Sequence, residues 1–257
     1  MNHTGNDPFS EIAQPPQPLP VEITGASVGL SLWQATLAQP EAVPWVTWLS
    51  PEEKQRIERM ARPVLRHRAV AVRALLRGLL ARELKVSPAS LRFQSDAHGR
   101  PHLATPFANS AIRDFNLSHS ADGLLIGLLH HTAPPSWQRI GVDLESLQSP
   151  RNTAPLAERV LSAREQRTLE GLNGEEHRHR FLHYWVLKEA FAKAVGAGFS
   201  LGFDAMDFEI NFDAAATAPR IRALPEPHRA EDWMLRFLPV DPFFAGAMAV
   251  KVSGIRD

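Results

Sequence analysis

The chain has 257 residues, 44% of them hydrophobic and 22% charged, and its 28 basic side chains balance 28 acidic ones. That length supports one large or two smaller domains with a real core, while zero formal net charge leaves only local basic sites and gives no chain-wide attraction for nucleic acid. The absence of cysteine excludes disulfides, thiolate metal centres and a thiol nucleophile, and suits a cytoplasmic protein.

In chain order, residues 1–20 are polar and proline-rich. No basic segment leads into an apolar one, so they read as a disordered tail rather than a secretory signal. No apolar run reaches the roughly 18–20 residues that a membrane helix needs, and no membrane contact is expected. Ser50-Pro51-Glu52-Glu53 combines a serine N-cap, proline at the first helical position and glutamate at the third, which together open a helix. Pro63 should end or kink it. A second helix is expected over about 64–84, where Leu65, Val72, Leu75, Leu76, Leu79 and Leu80 recur at three- and four-residue spacing. Arginines 66, 68, 73, 77 and 82 fall mostly off that stripe.

Short extended segments follow at Leu91-Arg92-Phe93 and Phe115-Asn116-Leu117-Ser118, around a turn at His98-Gly99-Arg100-Pro101. The continuous apolar run from Gly123 to Leu129 reads as a buried strand. A loop-like stretch from Thr132 to Gln138 marks a boundary, dividing the chain into segments 21–136 and 137–257. Beyond it come an acidic strand, helices near 154–161, 162–172 and 176–195, and strands near 208–212, 221–224, 233–240 and 243–252. Helices and mostly antiparallel strands in separate runs predict an α+β fold.

The chemistry concentrates in two acidic clusters. In Ile140-Gly141-Val142-Asp143-Leu144-Glu145, a side-chain period of two sends the apolar residues to one face and both carboxylates to the other. Their Cα atoms would lie about 6–7 Å apart, so the two charges repel unless a cation sits between them. Mg2+ is commonly held this way, by one or two carboxylates together with substrate phosphates. In Trp185-Val186-Leu187-Lys188-Glu189, with Lys193 a turn later, Trp185, Glu189 and Lys193 share one helical stripe, and Glu189 could add a third oxygen. Taken alone, Asp143 and Glu145 read more readily as solvated strand residues, and Glu189 with Lys193 is compatible with a surface ion pair.

Three further features are weighed against plainer readings. Asn116-Leu117-Ser118-His119-Ser120 lacks the Gly-x-Ser-x-Gly elbow of a hydrolase. Ser118 and His119 would also point to opposite faces of a strand, so they suit phosphate donors better than a nucleophile–base pair. Glu165 completes a capping box with Ser162 yet borders Leu161, Leu169 and Leu172, a setting that could raise its pKa towards that of a general base. Gly196-Ala197-Gly198 follows a helix and reads as its terminator, not as a dinucleotide loop.

In this order, His98-Gly99-Arg100-Pro101, Asn116-Leu117-Ser118-His119-Ser120, Gly141-Val142-Asp143-Leu144-Glu145 and Trp185-Val186-Leu187-Lys188-Glu189-Ala190-Phe191-Ala192-Lys193 resemble the surfactin-type 4′-phosphopantetheinyl transferases. The resemblance is close from Ser50 to Leu201 and looser beyond. It implies a pseudo-dimer of two similar α+β lobes, with coenzyme A and Mg2+ in the cleft between them. It also implies transfer of phosphopantetheine to a serine of an apo acyl or peptidyl carrier protein. By resemblance, Asp143, Glu145 and Glu189 hold the metal. Ser118, His119, Gly99, Arg100 and Pro101 contact the nucleotide, and Arg56 and Arg68 reach the 3′-phosphate or adenine. Lys193 reaches the pyrophosphate, and Glu165 helps deprotonate the incoming serine. Two fused lobes make a monomer the natural expectation, and the segment from Lys193 to Phe203, with Phe199 and Leu201, is the expected carrier-docking edge.

Overall fold

A computed structural model describes residues 17–19, 29–37, 45–133, 135, 137–149, 152–213 and 218–252, except for the side chains of Asn109 and Phe199. Two antiparallel sheets form its centre. The first has the order β1 (Gln17–Pro18), β2 (Leu30–Thr36), β6 (Gly123–His130), β5 (Ile112–Ser120), and the second has the order β10 (Trp233–Phe237), β11 (Phe244–Val252), β7 (Trp137–Ser146). Two small hairpins, β3 (Phe93–Ser95) with β4 (Pro101–Leu103) and β8 (Asp207–Glu209) with β9 (Arg220–Ala223), lie outside them. The helices are α1 (Trp45–Trp48), α2 (Pro51–Glu58), α3 (Pro63–Leu84), α4 (Ala154–Val160), α5 (Ala163–Arg167) and α6 (Gly174–Val195).

Strand alternation explains the layering. On β6, Leu124, Ile126 and Leu128 pack with Leu75, Leu76, Leu79 and Leu80 of α3. Leu125 and Leu129 point the other way, meeting Ile140, Val142 and Leu144 of β7 and Met248 and Val250 of β11. The far face of the second sheet is covered by α6, through Leu187, Ala190, Phe191 and Ala194 against Ala245, Ala247 and Ala249. The order is therefore helix, sheet, sheet, helix. Each half places one 22-residue helix across one antiparallel sheet, which is a two-lobed α+β fold.

The lobes also meet edge to edge. β5 and β7 share no ladder. Instead, alternate β5 side chains reach the backbone and carboxylates of β7. Asp114 Oδ2 accepts from the Ile140 N–H at 2.9 Å, Asn116 Oδ1 accepts from the Val142 N–H at 2.9 Å, and Ser120 Oγ accepts from the Ser146 N–H at 3.1 Å. This polar zipper satisfies strand-edge donors that would otherwise be left unpaired.

Several expectations need revision. Pro63 opens α3 rather than closing the preceding helix, which already ends at Glu58. Leu65 is 45% exposed and off the core, whereas Arg77, expected on the polar side, is buried because Glu53 and the carbonyls of Pro88 and Leu91 take its donors. Gln17 and Pro18 pair with Gln34 and Trp33; residues 1–16 and 20 of the expected tail lie outside the described residues. In the expected docking edge, Leu201 packs against the second lobe's core, Phe203 is buried, and the Phe199 side chain is not described. Gly196 terminates α6 in the left-handed conformation (φ 84°) as expected.

Gly141 has a different reason from the one its neighbours suggest. A Cβ there would lie 2.0 Å from the Ala190 carbonyl oxygen and 2.5 Å from the Ala194 nitrogen, so the glycine lets α6 approach β7 backbone to backbone. Gly141→Ala should cost about 1–3 kcal/mol as an overpacked site and lower the midpoint of thermal unfolding by several degrees. Calorimetry on the two proteins checks this.

Candidate functional site

Three elements converge on the acidic face of β7. Asp143 and Glu145 project from the strand toward α6, and β5 supplies two hydroxyls. Ser118 Oγ donates to Asp143 Oδ1 at 2.7 Å, and Ser120 Oγ donates to Glu145 Oε2 at 2.7 Å. From α6, Lys193 Nζ lies 2.6 Å from Asp143 Oδ1 and 2.8 Å from Ser118 Oγ, while the Trp185 indole N–H donates to Glu145 Oε1 at 3.2 Å. Glu189 stands on the same stripe. Burial, together with the charges of Asp143 and Glu145, pushes its pKa to about 7, with Lys193 acting in the opposite direction.

Among the described residues, no group of three or more histidine, aspartate or glutamate side chains is arranged to hold a metal by itself. The three-carboxylate cage expected from the sequence is thus not preassembled: Lys193 occupies one Asp143 oxygen and two donors tie Glu145. The donor set nonetheless fits a hard cation shared with phosphate. Asp143 is buried, and its Oδ2 has no hydrogen-bond partner, an expensive arrangement for a carboxylate oxygen unless something positive is meant to meet it. The Glu189 pKa is raised first by burial and then by the charges of Asp143 and Glu145, a setting that a nearby cation would relieve.

Basic groups lie to one side. His119 is kept below its ordinary pKa by desolvation and by the positive charges of Lys193 and Arg68, so a phosphate arriving there would favour its protonation. Arg68 pairs with Asp122 at 2.7 Å, both being substantially solvent-exposed. A cleft of about 360 Å³ is lined by Arg56, Arg73, Arg92, Phe93, Gly99 and Pro101, among others. Its floor is the Glu53 carboxylate, held at 2.8 Å by Arg77 and at 3.3 Å by Arg73. On the other side, a smaller cavity of about 100 Å³ adjoins Glu145 and is walled by Leu156, Phe181, Leu182 and Trp185 with Ser149, Asn152 and Thr153.

Two expected site residues sit elsewhere. Arg100 is buried, and its guanidinium donates to Asp114 Oδ2 at 2.6 Å, to the Phe115 carbonyl at 3.0 Å, to the Ile140 carbonyl at 2.7 Å and to the carbonyl of Lys193. It therefore clamps both lobes and caps the end of α6, with Nε left without a partner among the described residues. Glu165 is completely buried. Its oxygens accept from the backbone N–H groups of Ser162 and Phe208, both at 2.8 Å, and from Lys188 Nζ at 2.6 Å. Lys188, equally buried, spends its other donors on the carbonyls of Phe203 and Met206. Burial drives the Glu165 carboxyl upward and the Lys188 ammonium downward, each opposed by the other's charge. The raised carboxyl matches the expectation, while its complete burial and three donors tie it to α5, α6 and β8.

Arg73 and Ser120 escaped the sequence reading. Ser120 shares strand parity with Ser118, a usable signal. Arg73 is one turn before Arg77 on α3, and only the folded hairpin shows that it faces the cleft.

The sign of the Glu189 shift gives a test. Its folded pKa lies above the ordinary 4.5, so between those values the native state keeps a proton that the unfolded chain releases. Stability then falls as pH rises from about 4.5 to about 7. Chemical denaturation without divalent ions should show this decline in the wild type and a flatter profile in Glu189→Gln.

Comparison with known proteins identifies the family. Residues 31–127 match the 4′-phosphopantetheinyl transferase N-terminal family, and residues 139–236 match the 4′-phosphopantetheinyl transferase superfamily. The chain is 36% identical over 183 residues to 4′-phosphopantetheinyl transferase HetI from Nostoc sp. strain PCC 7120, covering 70% of this chain and 74% of that one. It is 32% identical over 174 residues to a phosphopantetheinyl transferase from Thraustochytrium sp., covering 63% and 58%. It is 26% identical over 193 residues to 4′-phosphopantetheinyl transferase Sfp from Bacillus subtilis strain 168, covering 75% and 78%. Two matched halves, joined at a carboxylate–lysine centre, place this chain in the 4′-phosphopantetheinyl transferase family.

Proposed function

We propose that the protein moves the phosphopantetheine arm of coenzyme A onto a serine of an apo acyl or peptidyl carrier protein, releasing adenosine 3′,5′-bisphosphate, with Mg2+ as the cofactor. The observation that carries this reading is the unpartnered buried oxygen of Asp143, set beside Lys193 and Glu189. Asp143 and Glu145, with Glu189 beside them, would hold Mg2+; when bound, the ion offsets negative charge on the diphosphate and on the leaving phosphate.

The remaining chemistry belongs to side chains. The serine oxygen forms a bond to the β-phosphorus as the bond to the bridging oxygen breaks, and the negative charge collects on the departing adenosine bisphosphate. Lys193 and His119 supply positive charge at that end, and such preorganised electrostatics suits a step in which the protein has little covalent work. Gly99, Pro101, Arg56 and Arg68 bind the nucleotide end, with Arg73 added from the cleft lining. The smaller apolar cavity beside Glu145 receives the pantetheine arm. Glu189 is committed to the cation site with Asp143 and Glu145, so the serine proton leaves to solvent at the open face of the centre. Glu165 instead anchors α6 through Lys188. The partner is an acidic carrier domain, and the compartment is the cytoplasm.

Intact-mass measurement of an apo carrier incubated with coenzyme A, Mg2+ and the protein tests the reading directly. A modified carrier is the expected result. Free phosphopantetheine would mean that water is the acceptor, and unchanged reactants would mean binding alone. In the same assay Lys193→Ala should lower turnover by about 10²–10³-fold, as for loss of one charge-stabilising donor. Glu189→Gln should raise the Mg2+ concentration needed for half-maximal turnover, as for loss of one cation ligand. Glu165→Gln should leave that Mg2+ requirement unchanged while losing about 3–5 kcal/mol of stability through its broken buried pair.

A further inference from the structure

We infer that Ser120 is a positioning residue for Glu145, so that the first lobe sets the cation affinity of carboxylates carried by the second. This rests on the proposed cation site and adds a residue to it. Ser120 is the last residue of β5, and its hydroxyl is used in both directions: it donates to Glu145 Oε2 at 2.7 Å and accepts from the Ser146 N–H at 3.1 Å. A hydroxyl committed on both sides has no free rotor, and so it fixes the carboxylate it touches. Trp185 holds the other oxygen of Glu145 from α6, so the side chain is gripped from both β5 and α6.

The same spacing recurs two residues away. Ser118 meets Asp143 and Ser120 meets Glu145 across an identical sequence separation of 25. One strand thus presents a pair of hydroxyls to a pair of carboxylates, in register. Each carboxylate oxygen keeps a lone pair after accepting one such bond, so the serine orients its ligand without consuming it. Partners of this kind, hydrogen-bonded to metal-binding side chains, usually affect affinity by about 10–100-fold. Asn116 provides the internal contrast: it belongs to the same zipper but touches only the Val142 N–H.

The experiment titrates the full-length protein with Mn2+ alone, followed by the loss of its free-ion paramagnetic resonance signal. Ser120→Ala should raise the Mn2+ dissociation constant by about 10–100-fold with its circular dichroism spectrum unchanged, and Ser120→Thr should restore binding. Asn116→Ala should leave affinity within about twofold of wild type. If Ser120→Ala does not fold, Ser120→Cys, which keeps the volume and weakens the donor, carries the same expectation. Unchanged affinity in the Ser120 variants overturns the positioning role while leaving the cation site standing. Equal losses in the Ser120 and Asn116 variants overturn it in favour of general loosening between lobes. A wild-type protein that takes up no Mn2+ overturns the cation site itself.

Discussion

The structure depends on one seam, where the edge of β5 meets the edge of β7 without forming a ladder. Asp114, Asn116 and Ser120 take the N–H groups that a neighbouring strand would otherwise take, so two separate sheets behave as one body at that edge. Arg100 closes the same seam from above, tying Asp114, Phe115, Ile140 and the end of α6 together. Backbone donors and a buried guanidinium are costly to leave unpaired; each lobe therefore completes the other's hydrogen bonding as well as its apolar packing. The proposed reactive centre lies on this seam, and its geometry is a property of the docking and of neither half alone.

Close approach on the opposite side of β7 is equally restrictive. With glycine at 141 and alanines at 190 and 194, α6 lies against the strand. Glu189 and Lys193 consequently face Asp143 across a short gap. A bulkier residue at 141 would push the helix off the strand and carry the lysine away from Asp143. The buried Glu165–Lys188 pair fixes the other flank of α6 to α5 and to the segment before β8. Its worth is in location more than in net stability, since a desolvated ion pair gains little over apolar packing.

Much of this was legible in the sequence, for identifiable reasons. Period-two alternation in 140–145 placed both carboxylates on one face, and helical spacing put Trp185, Glu189 and Lys193 on one stripe; local periodicity survives folding because it is imposed by backbone geometry. The caps at Ser50 and Ser162 formed as the residues dictate. What could not be read was tertiary. Arg100 sits in a motif with the look of a ligand contact, yet its two terminal nitrogens meet the Asp114 carboxylate and the carbonyls of Phe115, Ile140 and Lys193. Arg77 is buried because Glu53 and two carbonyls await it, and no helical pattern reports such partners. Strand β2, with its mixed pattern of Leu30, Leu32 and Trp33 among polar residues, gave too weak an alternation to be placed beforehand. Glu165 carried two compatible local signals, a cap and an apolar border, and only its burial against Lys188 separates them.

The contact between Lys193 and Asp143 means that the resting centre brings its own counter-ion. On the proposed reading, a divalent ion would load by exchange with the ammonium, and a monovalent ion would offer no gain in charge over the lysine it displaced.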